Sequence, residues 1–225
     1  MQKPFELSRA EFEARFPDIK EDAGRSFWRV RELVGQLEST AKALRELDVE
    51  KEKEKEKEKR ASTPAGRWLV LAGVLSHYVG DLAQPLHVSE NYDGQMTGQK
   101  GIHSYFEDTC VDELFPKIQS RVDNLARDRW PAFRKKNGGK SLLELLEALA
   151  RGSIRNVEPL LKIDKKNKRD NLKASCARYE QMIADRLVEG SLVLAEIYRR
   201  NVGWKYDGKK FYFFEGAPEY IRPGG

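Results

Sequence analysis

The stretch TPAGRWLVLAGVLSHYVGDLAQPLH, residues 63–87, decides the fold class. Thr63 followed by Pro64 reads as an N-cap and a first-turn proline, where the missing N–H is not needed and the fixed φ suits a helix. From Trp68 to Val79 the apolar residues fall around most of the circumference. The reading is therefore a buried central helix from Pro64 to about Gln84. Pro85 should end or kink it, since proline lacks the donor N–H and clashes with the preceding turn. A helix apolar on most sides must be covered by neighbouring elements.

The flanking sequence agrees. Ser8 to Glu11 reads S-R-A-E, a capping box opening a short helix that Pro17 stops. From about Gly24 onward, Trp28, Leu33, Val34, Leu37, Ala41, Leu44 and Leu47 share one helical face. Lys51 to Arg60, KEKEKEKEKR, places opposite charges at i,i+3 and like charges at i,i+4 and has no apolar face. Residues 48–62 are read as a charged, solvated loop or arm.

Downstream, residues 88–101 are polar and glycine-containing and read as a loop, with a helix opening near Ile102. Pro116, Pro131 and Gly138-Gly139 punctuate the chain beyond that helix, and Ser141 to Glu144 is a second capping box. A long amphipathic helix is predicted over roughly residues 169–200, with Met182, Ile183, Leu187, Val193, Leu194 and Ile197 facing in. In WKYDGKKFYFF, residues 204–214, two aromatic runs flank Asp207-Gly208, a signal for a short β-hairpin. The expected organisation is a helical domain over 1–203 and an aromatic hairpin or tail over 204–225.

The 225 residues carry 41 Lys and Arg against 36 Asp and Glu, a net charge of +5. This mild excess favours anionic partners such as phosphates, nucleic acid or acidic lipid, or else marks a lysine-rich solvated surface. No apolar run is long enough for a membrane span, and the first residues show no apolar core of a signal peptide. The chain's own sequence thus points to the cytoplasm if it is complete. Cys110 and Cys176 can form one disulfide or remain thiols, and buried free thiols are the expectation.

The chemistry-bearing residues cluster. All three histidines, His77, His87 and His103, lie within residues 77–103. His77 and Asp81 are i,i+4 and so share a helix face; His103 and Glu107 repeat the spacing on the next helix. A carboxylate on a largely apolar helix needs a partner or a cation. His87 follows Pro85, where the chain leaves the helix. His87, His103 and Glu107 make a His₂Glu set, and three protein ligands with an open fourth position is the pattern of catalytic zinc.

The segment HYVGDLAQPLHVSENYDGQMTGQKGIHSYFED, residues 77–108, resembles the signature of the zinc-dependent phospholipase C family, whose helical fold is shared with single-strand-specific zinc nucleases. The matching parts are His77 with Asp81, then Gln84-Pro85-Leu86-His87, then Gly101-Ile102-His103-Ser104 with Glu107. The glutamate is the lipase-branch residue at that position. The resemblance implies an all-α fold around as many as three zinc ions and hydrolysis of phosphodiesters. His87, His103 and Glu107 would hold one ion, and His77 and Asp81 would help hold a close pair.

Two features depart from the pattern. The family completes the close pair with an N-terminal Trp, two histidines and an aspartate earlier in the chain. Here no histidine precedes His77, Trp28 is the first tryptophan, and nothing around Asp18 and Asp22 matches. The expectation is an N-terminally truncated or degenerate member of a mostly exported family, with one zinc in this chain against as many as three in the family. Ala83 stands where relatives carry a polar residue. The implied activity is phospholipase C-like hydrolysis of a phospholipid headgroup phosphoester ahead of nucleic acid, with peripheral contact to a membrane surface. The competing readings are a non-catalytic helical module with a single zinc, and a metal-free helical protein.

Overall fold

The computed structural model describes residues 8–15, 17, 25–46, 64–115 and 117–202. Among these, helices predominate and no strand occurs, so the fold is an all-α bundle. The charged run at 51–60, Asp18, Asp22 and the hairpin expected in 204–225 lie outside the described residues.

The helices in chain order are α1 (Arg9–Arg15), α2 (Ser26–Glu46) and α3 (Pro64–Ala83), followed by a 3₁₀ turn (Leu86–Val88). After the 88–101 loop come α4 (Ile102–Ser104), a π-helical turn (Tyr105–Thr109) and α5 (Cys110–Leu114). The remainder comprises α6 (Lys117–Asn137), α7 (Leu142–Lys165), α8 (Leu172–Ala177) and α9 (Glu180–Val202). Both expected capping boxes form. Ser8 and Glu11 satisfy each other's backbone N–H at α1, and Ser141 and Glu144 do so at α7.

Helix α9 packs against α2, α3, α6 and α7 and is the spine of the bundle. Two hydrophobic clusters lie along it. The first joins Leu33 and Leu37 of α2, Leu75 and Val79 of α3, Leu146 of α7 and Ile197 of α9. The second joins Leu86, Ile102, Phe106, Leu160, Tyr179 and Ile183.

Four sequence-based expectations need correction. First, Cys110 and Cys176 are not free thiols: they form a disulfide joining α5 to α8 across 66 positions of chain. Second, the helix expected over 169–200 is two. Residues 166–171 leave α7, Asn171 caps α8 by accepting the Ala174 N–H, and the chain then tightens. At that joint Arg178 and Tyr179 donate to Ser175 and Cys176, three residues back, which breaks the α ladder before α9. Leu187 is also 40% exposed, not inward. Third, Pro131 does not punctuate. It lies inside α6 on an exposed face, where water can serve the carbonyl it leaves without a donor.

Fourth, α3 is not covered all round. Leu71, Leu75, Val79 and Leu82 are buried, but Leu69, Val70, Gly73, His77 and Gly80 form an exposed face. The apolar circumference overstated burial because Leu69 and Val70 extend past the packed stripe.

Candidate metal centre

The site is assembled where α3 ends. Pro85 turns the chain into the 3₁₀ turn that carries His87, and Leu86 anchors that turn by full burial against α7. His103 sits on α4, and Glu107 lies in the π turn rather than on a regular helix. The inserted residue changes the angular spacing from His103, so the i,i+4 argument was right in sequence but not in helix type. Single π turns recur at functional sites because they re-aim one side chain without ending the helix.

The result is convergent. His87, His103 and Glu107 each bring one ligand atom within 4.8 Å of the others, a group that could hold a metal ion. Glu107 Oε2 lies 3.3 Å from His87 Nε2 and 3.1 Å from His103 Nε2. The two imidazoles stand edge to face with centroids 4.7 Å apart. Asp81 Oδ1 is 3.7 Å from His87 Nε2, so Asp81 borders the group. His77 does not join it: its side chain is 72% exposed and, of the other four, approaches Asp81, at 3.6 Å. Of the five predicted ligands, three come together, one adjoins and one stands apart.

Residues that spacing did not single out hold the ligands in place. Gln84 is buried; its Nε2 donates to Glu107 Oε2 at 2.8 Å and lies 3.3 Å from His103 Nε2, and its Oε1 accepts the Leu86 N–H. One amide therefore ties all three ligand-bearing segments. The Tyr92 carbonyl accepts from His103 Nδ1 at 2.8 Å, which leaves Nε2 as the nitrogen directed at the cluster. Asp93 Oδ1 accepts the N–H groups of Gly101 at 2.9 Å and His103 at 3.2 Å, and these bonds hold its carboxyl below the usual range. Gln84 stood in the Gln84-Pro85-Leu86-His87 stretch, but its ties to His103 and Glu107 were not read from it. Tyr92 acts through its backbone, and Asp93 through a loop closure, and neither leaves a residue-type signal.

The loop is rigid in construction. Gln99 N–H donates to Gly94 O at 2.8 Å, and a Cβ at Gly94 would lie 2.6 Å from Gln99 O, at φ +71°. Only glycine fits there without moving backbone. Gln99 Nε2 in turn donates to Leu161 O and to Asp164 Oδ2 of α7. Asp164, 5% exposed, also accepts from Tyr179 and from Arg169, whose guanidinium lies 4.7 Å above the Tyr105 ring.

Electrostatically, Glu107 and His103 are coupled. Hydrogen bonds from His103 and His87, and then from Gln84, hold the Glu107 carboxyl far below the usual carboxylate range, against burial. Glu107 raises the His103 pKa, burial opposes it, and the Tyr92 carbonyl adds to the rise. A bound cation would take the place of the proton that the Nε2···Oε2 contact shares.

Ala83 also has a structural reason. It is buried where α3 crosses α9, and a Cβ at Gly190 would come within 3.1 Å of the Ala83 methyl. Glycine at 190 lets the two helices approach closely at Ala83.

No family model, curated protein or solved structure matches this chain. The fold and site together define an all-α protein with a His₂Glu cluster suited to a cation.

Proposed function

We propose that this chain is a zinc-dependent phosphodiester hydrolase of the phospholipase C type, acting on a phospholipid headgroup phosphoester in preference to nucleic acid. The observation that carries the reading is the convergence of His87, from the turn after α3, with His103 and Glu107, from the helical stretch after the 88–101 loop. In a tetrahedral centre with zinc–ligand bonds of about 2.0–2.1 Å, adjacent donors lie roughly 3.3–3.4 Å apart. The 3.3 Å and 3.1 Å separations to Glu107 Oε2 are close to that edge length, and two imidazoles with one carboxylate are donors zinc takes. The resemblance of residues 77–108 supplies the reaction class.

His87 and His103 would hold the ion through Nε2 and Glu107 through its carboxylate. When bound, zinc supplies charge stabilisation at a phosphoryl oxygen and lowers the pKa of a water molecule. The chain's own residues orient the ligands: Gln84 fixes the Glu107 carboxylate, and the Tyr92 carbonyl fixes the His103 ring. Asp81 is a further anion beside His87 where a second cation would be held.

A second reading is a single-zinc module without hydrolysis, favoured by the outward position of His77. Elemental analysis of purified protein dialysed without chelator, paired with hydrolysis of p-nitrophenylphosphorylcholine, tests both. The expected result is about one zinc or more per chain, with turnover, and loss of both in His103→Ala and Glu107→Ala. Zinc without turnover selects the second reading. No zinc retained, even after zinc is added back, overturns both.

A further inference from the structure

We infer that the 88–101 loop and the adjoining α7–α8 connection form a docking face for an anionic lipid surface. The inference rests on the proposed reading only in placing a lipid headgroup at the His₂Glu cluster; docking itself needs no metal.

Three observations converge. The first is charge. Residues 162–173, KIDKKNKRDNLK, contain six basic side chains against Asp164 and Asp170. Asp164 is buried and its charge is directed inward to Arg169, Tyr179 and Gln99. Lys165, Lys166, Lys168 and Lys173 are all exposed. This is the densest run of like charge among the described residues.

The second is apolar exposure. Tyr92 is 58% exposed, Met96 67% and Leu172 45%. Tyr92 and Met96 sit on the loop whose backbone holds the His103 ring, and Leu172 sits inside the basic segment. Tyrosine, with an apolar ring and a polar tip, suits a membrane–water interface, and large exposed apolar groups beside lysines are the composition of surfaces that lie on acidic bilayers.

The third is continuity. Gln99 bonds the loop to Leu161 and Asp164, Arg169 covers the Tyr105 ring, and a Cβ at Gly101 would lie 3.8 Å from the Arg169 guanidinium. Loop, basic connection and ligand-bearing turn are thus one packed unit. The acidic groups near the lysines do not cancel them: Asp93 is tied to the Gly101 and His103 N–H groups and Glu158 is paired with Lys162, leaving Glu90, Asp108 and Asp170 against the remaining lysines. Tyr92 is the one aromatic of the three, and a single ring beside Met96 and Leu172 cannot stack successive bases, so the apolar part of the face fits acyl chains better than single strands.

The test is co-sedimentation of the full chain with vesicles of 70:30 phosphatidylcholine and phosphatidylserine, in buffer containing EDTA. Chelation removes metal-dependent hydrolysis, so a failed docking face and a failed zinc reading are told apart. Expected is binding to the acidic vesicles and not to phosphatidylcholine alone, falling steeply as salt rises. The K165E/K166E/K168E variant should bind at least about 30-fold more weakly. The Y92S/M96S/L172S variant should lose roughly 10-fold with its salt dependence retained. These positions are exposed, so both variants should keep the parent's circular dichroism and Tm; if one does not, the single substitutions K166E and M96S are read in its place. Failure to bind acidic vesicles, or binding that neither set of substitutions weakens, overturns the inference. So does tight binding of a single-stranded oligonucleotide through the same lysines without vesicle binding, which would make the face a nucleic-acid surface.

Discussion

The two hydrophobic clusters lie side by side along α9 and are built by different means. The first is helix against helix, filled by residues such as Leu37, Leu75 and Leu146 at essentially zero exposure, and its buried Ser153 is satisfied by the helix carbonyls of Leu82 and Leu149. The second surrounds a π turn, a 3₁₀ turn and a loop, and it contains a disulfide and the buried Asp164–Tyr179–Arg169 network. His87, His103 and Glu107 each follow a residue of the second, Leu86, Ile102 and Phe106. Irregular backbone is needed there to bring His87, His103 and Glu107 to one point. Irregular backbone also gives up the ladder hydrogen bonds and apolar stripes that stabilise a plain bundle. Covalent and charged ties take over that task.

Removing the covalent tie should expose this difference most. Closing a loop of 66 positions is expected to stabilise the fold by about 4 kcal/mol through the unfolded chain. Denaturant unfolding of C110A/C176A should show a loss approaching that size. Hydrogen exchange should place the loss at residues 102–114 and 172–184 while α2 and α3 stay protected. Uniform loss of protection along both clusters would mean that they are one cooperative unit and that the contrast has no energetic content.

The next effect tests the charged tie. Asp164→Ala leaves Arg169 without its carboxylate and strips acceptors from Tyr179 and Gln99. Removing one partner of a buried pair costs about 3–5 kcal/mol; Arg169 is 26% exposed, which puts the expected loss at the lower end, about 3 kcal/mol. Because Gln99 anchors the 88–101 loop, zinc retention should weaken as well. A destabilised variant with unchanged zinc affinity would separate the network from the site.

What the sequence makes legible divides along the same line. The helices of the first cluster were readable because the 3.6-residue period repeats over many turns, and the two capping boxes marked the starts of α1 and α7. The candidate ligand residues were readable from their types and spacing, but the role of Gln84 in tying them together was not. The π turn, the break at Arg178–Tyr179 and the Cys110–Cys176 pairing were not. Each depends on contacts between segments distant in the chain. Tyr179 departs from the ladder to bury its ring beside Phe106 and bond Asp164, and a one-residue bulge or a disulfide leaves no period to count. The outward turn of His77 was hidden for a related reason: i,i+4 spacing puts His77 and Asp81 on one face but does not say whether that face is covered.

Acid should act on a buried charged tie beside the first cluster, Glu196. Hydrogen bonds from Arg199, and then Arg200, opposed by burial, hold Glu196 down to about 2. Arg200 also donates to the carbonyls of Lys140 and Asn137 and so clamps the α6–α7 turn onto α9. A carboxyl depressed in the folded state contributes stability that is fully present above its unfolded pKa, near 4.5, and is lost as pH falls toward 2. Arg199 is partly exposed, which reduces the contribution to on the order of 2 kcal/mol. Unfolding curves between pH 6 and pH 2 should show Glu196→Gln less stable than the parent at pH 6 and nearly equal to it at the acid end; a constant gap would assign the loss to packing instead.

The smallest effect belongs to a helix cap. Ser141 Oγ accepts the Glu144 N–H, and the Glu144 carboxylate accepts the Ser141 N–H, at the start of the helix that carries Leu145 and Leu146 into the first cluster. Ser141→Ala removes one acceptor, and water can reach the freed N–H because the turn is exposed. The expected loss is about 1 kcal/mol, read as a shift of the denaturant midpoint at unchanged m-value. It should appear equally in the parent and in C110A/C176A, since the cap and the disulfide act on separate clusters and distant independent sites add. A cap effect that grows in the disulfide-free background would show the two clusters coupled through α7, the helix they share.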